Sequence, residues 1–268
     1  MCTTCGCSPE ELPNHVHDLD GREHSHPAHE HDHPHDHKHD HGHDQHSHKD
    51  GRRTVIAIEE DILAKNNRLA AFNRALFKDK GIFVLNLVSS PGSGKTTLLE
   101  RTLRDLSGKL RFSVIEGDQQ TDNDARRIAA TGVAVRQINT GAGCHLDAHQ
   151  VMHGTESFDL DNLDILMIEN VGNLVCPASF DLGEHHKVAV LSVTEGEDKP
   201  LKYPQMFRNS TVMLLNKTDL LPHLDFDVEK CKEYARRINP AIIIIEVSAR
   251  TGEGMEAWYR WLGEGVAR

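Results

Sequence analysis

Long apolar runs are missing from this chain. None reaches the ~18 residues that a membrane span requires, so no transmembrane segment is expected. The opening MCTTCGCSPEEL lacks the basic-then-apolar order of a signal peptide, which makes a cytoplasmic location the expectation. Aromatic residues are scarce, at 5%, and net charge is −11 with His neutral, a balance that argues against a nucleic-acid partner. Cysteine is sparse too: six in all, three of them within the first seven residues and the others, Cys144, Cys176 and Cys231, scattered. In a reducing compartment that clustering points to metal ligation before disulfides.

What the first 51 residues lack in apolar side chains they replace with His, Asp, Pro and Gly. Such a segment cannot bury enough surface to offset its conformational entropy, so residues 1–51 are expected to be a disordered Cys/His-rich metal-binding tail. The texture changes at Thr54. Val55 to Lys80 reads as one amphipathic helix, with Ile58, Ile62, Leu69, Phe72, Leu76 and Phe77 near helical spacing. Strand-like runs follow at 82–88, 112–117, 134–138, 163–169, 187–193, 212–216 and 241–247, and helical patterns fall between them. Several runs have hardly any polar interruption, as expected of parallel strands buried on both faces. Residues 52–268 are therefore expected to form a doubly wound α/β domain with a mostly parallel sheet. At roughly 215 residues such a domain buries about 70% of its unfolded surface and needs no metal to fold.

SSPGSGKTT (89–97) follows an apolar strand and opens a helix, the context of a phosphate-binding loop. Gly92, Ser93, Gly94, Lys95, Thr96 and Thr97 would wrap the phosphates, with Lys95 reaching the β- and γ-phosphates and Thr96 offering its hydroxyl to Mg²⁺. The departure from the usual pattern is Ser89, where Gly is common. NKTD (216–219) follows another strand. Asp219 can accept from guanine N1–H and its 2-amino group, Asn216 can bond the base edge, and the Lys217 stem can lie over the ring. A site built on such paired bonds rejects the analogue lacking them by ~10⁴ or more. Ser248 and Ala249 of VSART (247–251) would present backbone N–H groups to the base oxygen, which makes the nucleotide GTP. In LMIENVG (166–172), Glu169 is placed to hold magnesium through water and the Gly172 N–H to touch the γ-phosphate. Asp118, ending another strand, is the candidate second carboxylate near Mg²⁺, while Asp122 and Asp124 are expected to cap the following helix.

Three sets of residues have the donor chemistry of metal ligands. Cys2, Cys5 and Cys7 can converge three thiolates on one ion, and loss of Met1 would add the α-amine of Cys2; Ni²⁺ in square-planar form and tetrahedral Zn²⁺ are both compatible. HEHDHPHDHKHDHGHDQHSH (29–48) supplies imidazoles that are mostly neutral at pH 7, giving capacity with weak selectivity. The third set is Cys144 and His145 in GAGCHLDAH (141–149) with Cys176 in NLVCP (173–177), only four residues past Gly172. Buried Cys and a capping His are common, but a metal held here would be tied to the nucleotide state. His149 and His153 are further donors at i, i+4 spacing, and Cys231 reads as structural.

In order along the chain, MCTTCGC, the His-rich linker, SSPGSGKTT, GAGCHLDAH, IENVGNLVCP and NKTD resemble the hydrogenase nickel-incorporation GTPases, P-loop metallochaperones of the SIMIBI type. The resemblance implies a GTPase yielding GDP and phosphate, homodimers favoured by GTP, and delivery of nickel to the [NiFe]-hydrogenase large-subunit precursor alongside another maturation factor; the residues themselves lead to the expectation of slow hydrolysis without a partner. It also implies a tight nickel site at Cys2, Cys5 and Cys7, and a nickel or zinc site at Cys144, His145 and Cys176 shared across the dimer. No Gln or Arg stands out as the group that orients water or neutralises charge. Two alternatives remain. Urease accessory GTPases carry Cys-Pro-His, whereas Cys176-Pro177 is followed here by Ala178. A nickel store with a vestigial GTPase would have no use for the phosphate and guanine motifs. The helix at 55–80 is a candidate docking surface whose periodicity fits core packing equally well.

Overall fold

The computed structural model describes residues 48–119, 121–141 and 143–267, with side chains described from residue 60 onward. Cys2, Cys5, Cys7 and the His run as far as Ser47 lie outside the described residues.

Helix α1 runs His48–Asp79, starting earlier than its apolar periodicity indicated, so the expected boundary at 51/52 falls inside it. Once a helix is nucleated, each added turn costs little even without an apolar face to bury. The remaining elements alternate: β1 Phe83–Ser89, α2 Lys95–Asp105, β2 Phe112–Asp118, α3 Asn123–Ala129, β3 Ala134–Asn139, α4 Ala148–Thr155, β4 Ile165–Glu169, α5 Cys176–Ser179, β5 His186–Ser192, α6 Lys199–Lys202, α7 Pro204–Arg208, β6 Val212–Asn216, α8 Val228–Ile238, β7 Ile243–Glu246 and α9 Met255–Val266. The seven strands form one sheet in the order β3-β2-β4-β1-β5-β6-β7, every pair parallel.

The unbroken apolar runs lie where a parallel sheet buries both faces: every residue of β1, β4 and β6 is buried. The edge strands β3 and β7 are only partly buried. On one face Leu85, Leu87, Met167 and Val190 pack against Leu98, Leu99 and Leu103 of α2 and Trp258 and Leu262 of α9. On the other, Val84, Ile115, Leu166 and Ile168 pack against Phe77 of α1 and Val151 of α4. Cys231 is fully buried among Leu215, Met206 and Ala235, which accords with a structural role. The chain winds outward from β1 in both directions, so the loops after β1, β2 and β4 meet at the carboxyl ends of the strands, where α/β sheets hold ligands. No helix among the described residues is long and apolar enough to cross a membrane.

Candidate nucleotide and metal site

Ser89 closes β1 as a buried residue whose hydroxyl donates to the Ser90 carbonyl at 2.7 Å. The loop then turns through Gly92 and Gly94 into α2. Gly94 has φ +92°, and a Cβ there would lie 2.7 Å from Asn216 Nδ2. Only glycine fits both constraints. The loop and the first turn of α2 line a cavity of about 540 Å³, with Lys95 and Thr96 at its floor. The Thr96 hydroxyl donates to Glu169 Oε1 at 2.7 Å, joining the start of α2 to the end of β4.

Four carboxylates face this cavity: Glu116, Asp118, Asp124 and Glu169. Glu116 and Glu169 stand opposite one another in the β2–β4 register. Burial, then the neighbouring Glu169, Asp118 and Asp124 charges, pushes the Glu116 carboxyl up to about 8. Burial raises Glu169 as well, against the attraction of Lys95 and the Thr96 hydrogen bond. Glu116 Oε2 and Glu169 Oε2 are both buried without a hydrogen-bond partner. Unpaired buried carboxylate oxygens at this density fit a divalent cation, which would neutralise their repulsion and take up the orphaned oxygens. Asp118 accepts from the Gln119 N–H at 2.5 Å and from the Thr121 hydroxyl at 2.7 Å.

Two sequence expectations are corrected here. Asp122 occupies the N-cap position of α3 but makes no side-chain cap; it pairs with Arg126 at 2.6 Å. Asp124 faces the nucleotide cavity and pairs with Arg127 at 3.0 Å. Arg127, passed over in the sequence, also reaches Glu100 at 2.7 Å and the Thr97 hydroxyl at 3.1 Å. Glu116 was likewise missed, although a carboxylate inside an apolar strand (VIEGD) is the signal that reveals it.

The NKTD segment is bound to the phosphate loop rather than standing apart from it. Asn216 Nδ2 donates to the Ser93 carbonyl at 3.0 Å, and Lys217 Nζ to the Gly92 carbonyl at 2.7 Å. Asn216 Oδ1 accepts from the Ala249 N–H at 3.2 Å, so the amide is fixed at both ends while its second Nδ2 hydrogen stays available to a base edge. Ser248 turns its N–H to the Glu253 carbonyl, and its hydroxyl donates to Asp219 Oδ1 at 2.7 Å. That bond orients the Asp219 carboxylate. Lys217 is the one positive-φ non-glycine among the described residues, at φ +63°, a backbone turn that separates the Asn216 and Asp219 side chains.

Cys144, His145 and Cys176 come together: their ligand atoms all lie within 4.8 Å of one another. Cys144 Sγ is 3.6 Å from His145 Nδ1, and the His145 ring lies against Phe180 with centroids 3.8 Å apart. Burial lowers the His145 pKa, keeping the ring in its neutral, metal-binding form. Two thiols and an imidazole suit Ni²⁺ or Zn²⁺. The loop ends on a reciprocal cap: Asp147 accepts from the Gln150 N–H at 2.8 Å, and Gln150 accepts from the Asp147 N–H at 3.0 Å. His149 and His153 sit beyond it on α4, exposed and with Nε2 atoms 3.1 Å apart, and are not grouped with the three donors. Gly172 links the two sites: a Cβ there would be 3.1 Å from Pro91 of the phosphate loop. Cys176 follows one short turn later.

Residues 83–246 match the family described as CobW/HypB/UreG, nucleotide-binding domain. The chain is 66% identical to hydrogenase maturation factor HypB of Azotobacter vinelandii over 208 residues, covering 78% of this chain and 69% of that protein. Its counterpart in Escherichia coli K12 is 63% identical over 211 residues, covering 79% and 73%. Among solved structures, HypB from Helicobacter pylori in complex with nickel superposes with TM-score 0.73 at 40% identity, over 76% of this chain and 95% of that one. HypB from Archaeoglobus fulgidus superposes with TM-score 0.72 at 41% identity, over 76% of this chain and all of its own. The chain belongs to the HypB family of CobW/HypB/UreG nucleotide-binding proteins.

Proposed function

We propose that this chain is a nickel-binding GTPase metallochaperone that delivers Ni²⁺ to the precursor of the [NiFe]-hydrogenase large subunit. The observation that carries the reading is the convergence of Cys144, His145 and Cys176 beside a phosphate loop already tied to a guanine-type motif. A store without nucleotide control has no use for that junction. The family is one of P-loop GTPases, and its relatives are named as hydrogenase maturation factors.

In this reading Gly92–Thr97 and Gly172 hold the phosphates of GTP, and Asn216, Lys217, Asp219, Ser248 and Ala249 frame the guanine, with Asn216 also bracing the phosphate loop. Thr96, Asp118 and Glu169 would hold Mg²⁺, whose charge would offset the carboxylate repulsion around Glu116. GTP is hydrolysed slowly without a partner, because Arg127 is held by Glu100 and Asp124, and Gln119, which lines the cavity, gives its amide to the Gly143 carbonyl at 3.3 Å. Three protein ligands leave the nickel site one short of a closed four-coordinate set, so a second copy of the chain completes it in a GTP-favoured homodimer. Zn²⁺ is the competing ion at the same donors. Residues 1–51 act as the metal-collecting arm, with Cys2, Cys5 and Cys7 for affinity and the His run for capacity, and 52–268 as the GTPase domain. The protein works in the cytoplasm alongside another maturation factor.

Genetic replacement tests this. In a hydrogenase-producing host lacking its own copy, the wild-type chain should restore nickel-loaded, active hydrogenase. Lys95→Ala and Cys176→Ala should each leave the large subunit without nickel. Full nickel loading with both variants would contradict the proposal.

A further inference from the structure

The two loops that carry the metal donors are far apart in sequence, yet one chain of buried polar side chains joins both of them to the nucleotide end of β4. Asn170 directly follows Glu169. Its Oδ1 accepts from the Val171 N–H and from the Leu146 N–H, both at 3.0 Å, and Leu146 is the neighbour of His145. Its Nδ2 donates to Asn86 Oδ1 at 3.2 Å in the middle of β1, and Asn86 Nδ2 donates to Glu184 Oε1 at 3.1 Å. Glu184 stands 3.7 Å from Lys187 Nζ, and both side chains are 7% exposed. The Lys187 ammonium donates to the carbonyls of Pro177 at 2.8 Å, Ala178 at 3.2 Å and Phe180 at 3.1 Å. Those carbonyls belong to the turn that begins with Cys176, and Phe180 lies against His145.

A parallel sheet buried on both faces gains most from apolar side chains, so Asn86 in mid-β1 and Lys187 in β5 are expensive unless fully bonded. Here the amides of Asn86 and Asn170 use both their donor and their acceptor ends. Turning either one breaks bonds at two places together, which gives the chain discrete arrangements rather than a continuum.

We infer that Asn170, Asn86, Glu184 and Lys187 are positioning residues that transmit the state of the Glu169–Gly172 segment to Cys144, His145 and Cys176. The inference rests on the metal-site reading above. When nucleotide shifts Glu169 and Gly172, Asn170 moves with them and displaces the Leu146 N–H on one side. On the other side the displacement passes through Asn86 and Glu184 to Lys187 and the Cys176 turn. Lys187 reaches the Cys176 turn through backbone carbonyls.

The test uses the full chain carrying C2A, C5A and C7A, with free nickel set by a competing chelator. Thiolate-to-nickel charge-transfer absorption then reports Cys144 and Cys176, because imidazole ligands give no such band. Nickel affinity is measured with GDP and with a non-hydrolysable GTP analogue. The parent should show a ratio between the two states of about tenfold or more, within the usual range of coupling between sites. Lys187→Met should bring that ratio to within about twofold of one while keeping nucleotide affinity, and Asn170→Ala should do the same to the ratio. Asn170→Asp keeps the shape and the acceptor oxygen but cannot donate to Asn86, and it serves if the alanine variant unfolds. Folded variants that retain the parental ratio overturn the inference and leave the metal-site reading standing. A parent without nucleotide dependence overturns both.

Discussion

Asn216 Nδ2 reaches across 123 residues of sequence to the Ser93 carbonyl at 3.0 Å, so the guanine-type segment and the phosphate loop are one unit. Gly94 sits beneath that bond, with φ +92° and 2.7 Å between its would-be Cβ and Asn216 Nδ2. Gly94→Ala should therefore do two things: impose backbone strain of about 1–3 kcal/mol and push Asn216 off Ser93. The expected result is a loss of GDP and GTP affinity of at least about tenfold by fluorescent-nucleotide titration, with a lower unfolding midpoint. Gly92→Ala, with nothing within 4 Å of its would-be Cβ, meets only the backbone strain and should be milder.

Asp219 is oriented by the Ser248 hydroxyl at 2.7 Å and is the acceptor proposed for guanine. Asp219→Ala should reduce GTP affinity by about 10²-fold or more while leaving weak ATP binding unchanged, erasing the preference. Ser248→Ala should give a smaller loss in the same direction. Competition between the two nucleotides against a fluorescent guanine analogue measures both.

β1, β4 and β6 were legible as apolar runs because a parallel sheet buried on both faces leaves few polar interruptions. The phosphate and guanine motifs were legible for a different reason: their loops are short and their roles depend on residue type at fixed spacing. What escaped the sequence is long-range pairing. Asn216 also braces the phosphate loop through the Ser93 carbonyl, and nothing local reveals that partner. Asn86, Lys187 and Glu116 look like interruptions of strands until the sheet order places them beside Glu184, three carbonyls and Glu169 respectively. Asp124 shares the sequence neighbourhood of a helix cap but is drawn to Arg127.

Arg111 and Asp164 set the β2–β4 register that brings Glu116 opposite Glu169. The Arg111 N–H and Nε both donate to Asp164 Oδ2, at 2.8 and 3.0 Å, and Nη2 to Oδ1 at 2.5 Å. Hydrogen bonds from Arg111 hold the Asp164 carboxyl below its ordinary 3.8. A carboxyl depressed in the native state stabilises the fold above its unfolded pKa, and that contribution is lost as pH falls through the native pKa. Asp164→Asn should thus lower the thermal midpoint at pH 7. The deficit should shrink once pH drops below about 4 and vanish at lower pH, where aspartic acid and asparagine carry the same charge. A deficit that stayed constant with pH would contradict this.

The His145 ring is braced by Phe180, 3.8 Å away between centroids. Phe180→Leu keeps apolar volume but loses the ring contact. Groups that orient a ligand are typically worth 10–100-fold in metal affinity, so nickel affinity at Cys144, His145 and Cys176 should fall by about tenfold. Nucleotide affinity in the GDP state should not change. Equal nickel binding in the leucine variant would show that the imidazole is held elsewhere.

The central claim is that nucleotide governs metal at Cys144, His145 and Cys176. The most direct measurement is nickel affinity at this site in the full chain bearing C2A, C5A and C7A, with GDP and then with a non-hydrolysable GTP analogue. The two affinities should differ by about tenfold or more, and the difference should disappear, along with the thiolate-to-nickel band at the same free nickel, in Cys176→Ala. Binding indifferent to nucleotide, or unaffected by loss of Cys176, would contradict it.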